Sequence, residues 1–199
     1  MNSCCIQLRV LQTPDREDFG VADEEALRGD WIVRITQEFD SDVDLIVNGH
    51  NLLNGYPGAL VYPVHALLRS FNNGLHSLLL RGQSVIPVYL QQYNFLQDSP
   101  QHELGIQLAD DDCWTAAVSF QWFPFTSRPR DLPIVEGERV PVSELVTEIV
   151  NCVALFKRTV QKTLANFGPQ GAVQPDRIFE DFADLRESRR VYRSRMIKS

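Results

Sequence analysis

"PVHALLRSFNNGLHSLLL", residues 63–80, decides the fold, because the reading turns on whether Asn72, Asn73 and Gly74 break it. A turn at that point would leave two short segments; continuity would make one long helix dividing the chain. At about 100° per residue, Val64, Leu67, Leu68, Phe71, Leu75, Leu78 and Leu79 fall within about 120° of one helical face. The apolar phase passes from Phe71 to Leu75 without a slip, so the stretch predicts a single helix. Pro63 suits its first turn, where a missing N–H costs nothing. Gly74 in the interior costs about 1 kcal/mol relative to Ala, and it permits another element to approach closely.

Strand-like runs stand on both sides of this helix. "CCIQLRVLQ" (4–12) precedes two alternating runs, "WIVRITQEF" (31–39) and "VDLIVNG" (43–49), separated by "DSD" as the acidic tip of a hairpin. After the helix come "SVIPVYLQQYNFL" (84–96), "HELGIQLA" (102–109) and "CWTAAVSFQWFPF" (113–125), the last two joined by "DDD" at 110–112. Pro87 lacks a ladder N–H, so its strand belongs at an edge or a bulge. A Pro-rich connection then leads to the longest helix, about 143–167. Its ridge is Leu145, Val146, Ile149, Val150, Val153, Phe156, Val160, Leu164 and Phe167, and Gly168-Pro169 ends it. A final amphipathic segment, about 175–195, places Ile178, Phe179, Phe182, Leu185 and Tyr192 on one side.

Regular βαβ alternation is missing, which disfavours a doubly wound nucleotide fold. The expected fold class is α+β: a mainly antiparallel sheet of about six strands, with two to three helices packed against one face. Residues 1–199 are expected to form one domain, with residues 186–199 as a basic C-terminal tail without fixed structure or ending in solvent.

With 199 residues, 44% of them hydrophobic and 23% charged, the chain has the composition of a globular protein with a sizeable core. No apolar run approaches the length of a membrane span, and the first residues lack the pattern of a signal peptide, so a cytoplasmic protein away from membranes is expected. Cys4 and Cys5 are adjacent while Cys113 and Cys152 sit alone in apolar stretches, which suits reduced thiols better than a disulfide framework. Charge is uneven. Residues 1–185 carry 25 acidic and 13 basic side chains, a net −12, whereas the residues from Arg186 onward carry six bases and one acid, a net +5. An acidic body repels nucleic acid and favours a cationic partner.

"VNGHNLLNGYPG" (47–58) looks most like a ligand loop. A phosphate cradle needs a cation, yet no Lys or Arg occurs between Arg34 and Arg69, and Gly49, Gly55 and Gly58 do not fit a dinucleotide-binding spacing. It reads as a connection whose Asn and Gly residues tolerate left-handed backbone. His50, with Asn51 and Asn54, remains the alternative site for a small ligand or a hydrolase acid/base. Asp40, Asp42 and Asp44 copy the first positions of a calcium loop, but Leu45 stands where glycine is required and Asn51 where the closing glutamate belongs. His65 and His76 are about 16 Å apart along a helix, too far to share an ion. No catalytic motif, metal site or cofactor is read from the chain.

The aromatic residues gather near the second acidic tip: Trp114, Phe120 and Trp122 share one strand face by period two. Trp beside carboxylates is what a surface for a basic partner presents. Asp40, Asp42, Asp44, Asp110, Asp111, Asp112 and Trp114 are therefore the candidate partner-binding residues. In size, acidity and element order, with "WIVRI", "VNG" and "DDDCW" as strand contexts over residues 1–170, the chain resembles the immunity proteins of bacterial polymorphic and contact-dependent toxin systems. The resemblance implies a non-catalytic protein that neutralises a basic toxin or nuclease by direct binding. It transfers no binding residue.

Overall fold

The computed structural model describes residues 4–12, 39–52, 61–88, 102–109, 114–122, 135–166 and 178–196. Their order is β1 (Cys4–Gln12), β2 (Asp40–Val47), β3 (His50–Asn51), β4 (Val61–Pro63), α1 (Val64–Arg81), β5 (Gln83–Val88), β6 (His102–Leu108), β7 (Thr115–Trp122), β8 (Val135–Pro141), α2 (Val142–Asn166) and α3 (Leu185–Met196). The fold is α+β, with three helices among the described residues and antiparallel pairing throughout.

The helix at 64–81 is continuous through Asn72-Asn73-Gly74, and all seven residues of the expected apolar face are buried. Its start is fixed by the preceding strand: the Val64 N–H donates to the Phe39 carbonyl at 2.9 Å. At Gly74 the helix comes close to the second sheet. A Cβ added there would press on Ile86 Cγ1 and lie 2.6 Å from Ile86 Cδ1, so the glycine lets β5 pack directly on the helix. The long helix α2 buries Leu145, Val146, Ile149, Cys152, Phe156 and Val160. Val150, placed on the ridge by its apolar character, is instead 44% exposed, because the buried line runs through 149, 152, 156 and 160.

The described strands form two hydrogen-bonded sheets, a number that period two leaves open in the sequence. In the first, β2 pairs with β1, β3 and β4; the second runs β5-β6-β7-β8. Six strands are of ordinary length, while β3 and β4 contribute only two and three residues. Pro87 lies on β5, an edge strand, as its missing donor requires. Both sheets and two helices share one core: Leu45 and Val47 from the first sheet, Leu104 and Val118 from the second, Phe71 from α1 and Ile149 from α2 enclose a common apolar space.

The "DSD" segment is strand, not turn. Asp40, Ser41 and Asp42 pair with Gln12, Leu11 and Val10 on one side and with Pro63, Tyr62 and Val61 on the other. The ladder bonds available from two neighbours outweigh the turn preference of aspartate. The expected strand 31–39 lies outside the described residues except for Phe39.

The expected final amphipathic segment, about 175–195, overlaps the basic tail and is helical over its last part. Residues 185–196 form α3, docked through Leu185, Ser188 and Tyr192, all under 9% exposed. Asp184 caps it, its Oδ1 accepting from the N–H groups of Arg186 and Glu187 at 2.9 and 3.2 Å.

Candidate partner-binding surface

Residues 109–114 connect β6 to β7, and the Ala109 N–H donates to the Thr115 carbonyl at 2.9 Å across their base. Asp110, Asp111 and Asp112 lie within that connection but outside the described residues. Trp114 closes it and is 60% exposed. Its carbonyl accepts from the Val142 N–H, the first residue of α2, at 2.9 Å. The indole is therefore carried on a backbone held by both β7 and the start of α2, whose first turn contains Glu144. The backbone that carries this large aromatic therefore has little freedom left to lose when the side chain is covered, which favours its use as a binding anchor.

Of the first acidic group, Asp44 is the member whose side chain is described. Asp40 and Asp42 sit in the ladder of β2. Asp44 is buried at 7% exposure, with a carboxylate oxygen accepting from Asn51 Nδ2 at 2.5 Å. That bond ties β3 to β2 from the side opposite Leu45 and Val47. Asp44 thus has a role in holding the hairpin together.

The stretch that resembled a ligand loop begins as a tight hairpin. Asn48 (φ 46°) and Gly49 (φ 84°) form a two-residue turn between paired Val47 and His50. Both adopt the left-handed conformation that the strand twist demands of such turns. Asn48 Nδ2 also donates to Glu138 Oε2 at 2.7 Å and to the Arg139 carbonyl at 3.3 Å, linking the turn to β8 and hence the two sheets. His50 is exposed on β3, and Asn51 is engaged with Asp44; Asn54 lies outside the described residues. Among the described residues no group of three or more His, Cys, Asp or Glu side chains is placed to hold a metal ion.

A cleft of about 590 Å³ opens over the second sheet, bordered by Arg81, Gln83, Val85, Gly105, Gln107 and Ser119. It carries one cation and several amide and hydroxyl groups, without a paired nucleophile and base. Among the described residues no helix is long and apolar enough to cross a membrane.

One recognition surface escaped the sequence reading and lies inside the molecule. His65, Arg69, Asn72, Asn73 and His76 span about 100° of α1, adjoining its apolar face. Each meets the segment 178–188. His65 Nε2–H donates to the Ile178 carbonyl at 2.7 Å, and Arg69 pairs with Asp181 at 3.2 Å. Asn72 donates to the Ala183 carbonyl at 3.1 Å. Asn73 brackets the same segment, donating to the Asp181 carbonyl at 3.1 Å and accepting from the Ala183 N–H at 3.0 Å. His76 Nδ1 and Ser188 Oγ lie 2.5 Å apart. The spacing i, i+4, i+7, i+8, i+11 of these polar residues was the available signal.

No protein-family model, no curated protein and no solved structure matches the chain.

Proposed function

We propose that this chain is a non-catalytic, acidic binding protein of the immunity type, acting in the bacterial cytoplasm to neutralise a basic toxin or nuclease by direct contact. The observation that carries this reading is Trp114, 60% exposed on a rigidly held backbone two residues after Asp112. An exposed aromatic supplies desolvated contact area, and neighbouring carboxylates supply attraction and orientation towards a cationic surface. The net −12 of residues 1–185 extends that attraction over the body and speeds encounter with a basic partner. Because Asp44 is buried and engaged with Asn51, it leaves the contact set, which keeps Asp40, Asp42, Asp110, Asp111, Asp112 and Trp114.

The test begins with capture on the immobilised full chain from a lysate of the source organism, followed by titration of the captured protein. A basic partner is expected, with an affinity that falls as salt rises. Replacing Asp110, Asp111 and Asp112 by Ala should weaken binding by about 10–100-fold, the equivalent of roughly 1.4–2.8 kcal/mol. Capture of no basic protein, or an affinity unchanged in the triple variant, contradicts the proposal.

A further inference from the structure

Residues 178–196 form an arm whose attachment passes through a buried histidine. His65 is 7% exposed and joins α1 to the arm through its bond to the Ile178 carbonyl. A carbonyl only accepts, so Nε2 carries the hydrogen and Nδ1 is the atom that takes a second proton. The ring lies among Phe182 and Phe179 of the arm, at centroid distances of 5.4 and 6.4 Å, and Phe156 of α2, at 6.4 Å.

The charges around this seam do little for an imidazolium. Arg69 stands one turn along α1, and Lys157 of α2 places Nζ 4.5 Å from the centre of the Phe179 ring. Asp181, from the arm, has the favourable sign but is paired with Arg69 at 3.2 Å. Burial pushes His65 below its ordinary 6.5; the bond to Ile178 offsets part of this, Arg69 adds to it and Asp181 opposes it.

We propose that the C-terminal arm is an acid-sensitive latch: a proton taken up at His65 Nδ1 places a charge in the aromatic seam and loosens residues 178–196 from α1 and α2. On detachment His65 regains water and its ordinary proton affinity, so the open form binds the proton more tightly than the closed form. Attachment is therefore fully favoured above pH 6.5 and weakens as pH falls below it. At pH 5 the shift towards the open form reaches at most about 30-fold, the gain of a group with a pKa of 6.5 in the open form. The arm carries the exposed Arg186, Arg189 and Arg193, so opening also moves a cationic element away from an acidic body.

Hydrogen exchange of the full chain, followed by mass spectrometry at pH 7.5 and 5.0 and corrected for the intrinsic rate, tests this directly. In the wild type, protection of residues 178–196 should fall on acidification, by at most about 30-fold and by more than that of α2. His65→Gln keeps a donor for Ile178 but does not titrate, and should abolish the difference; His76→Gln should retain it. An equal fall in His65→Gln, or none in the wild type, overturns the latch. Should His65→Gln fail to fold, the nuclear magnetic resonance titration of the wild-type His65 ring decides. A midpoint below 6.5 supports the latch, and one at or above 6.5 overturns it.

Discussion

Replacing Gly74 by alanine sets two effects of opposite sign against each other, and the structure determines which wins. On an isolated helix the change gains about 1 kcal/mol, because glycine loses more backbone entropy than alanine. Here the new methyl would press on Ile86 Cγ1 and lie 2.6 Å from Cδ1, well inside van der Waals contact. Ile86 is 1% exposed, so its side chain cannot withdraw into solvent and any shift disturbs the core around it. Overpacking of this kind costs about 1–3 kcal/mol, which exceeds or cancels the helical gain. The net expectation is a loss of up to about 2 kcal/mol, or a fall in Tm of up to about 8 °C for a chain of this size. Thermal and urea unfolding read the effect, and a double-mutant cycle isolates its cause. Ile86→Ala alone should cost about 2–5 kcal/mol. In that background Gly74→Ala should become neutral or stabilising, since the clash is gone and the methyl fills part of the cavity. A Tm that rises equally with Gly74→Ala in both backgrounds would show that β5 does not pack on α1 as described.

Gly49→Ala, at φ 84° in the β2–β3 turn, should cost about 1–2 kcal/mol by backbone strain alone, because nothing lies within 4 Å of the added methyl; chemical unfolding measures it. On α2 the phase of burial separates two adjacent positions: Ile149→Ala should lose about 2–5 kcal/mol and Val150→Ala less than about 0.5 kcal/mol, compared by urea titration. Equal losses would mean that the helix is rotated from the orientation described.

The helices were legible because their periodicity is long and their apolar faces are continuous; Phe71 to Leu75 carried the reading through Asn72-Asn73-Gly74. Pairing was much less so. "DSD" was read as a tip because aspartates favour turns, yet Asp40 and Asp42 have strand neighbours on both sides, supplied by residues far away in the chain. The number of sheets was hidden for the same reason, since period two marks a strand without naming its partner. Asn48-Gly49 is a strong hairpin signal that was absorbed into a longer connection. Asp44 looked like surface acid, and only the fold reveals that Asn51 on β3 comes back to meet it. The final amphipathic segment was legible through Leu185 and Tyr192, which are buried, while the basic tail that overlaps it was judged by its charge and Ser188 was not read as a docking residue.

The proposed binding function stands or falls on Trp114. With the partner captured as described above, calorimetric titration of Trp114→Ala should show affinity reduced about 30-fold or more, equivalent to roughly 2 kcal/mol for a buried aromatic anchor. Its Tm should stay close to that of the wild type, because the side chain is 60% exposed in the free protein. Binding within twofold of the wild type would contradict the account and move the interface elsewhere on the molecule.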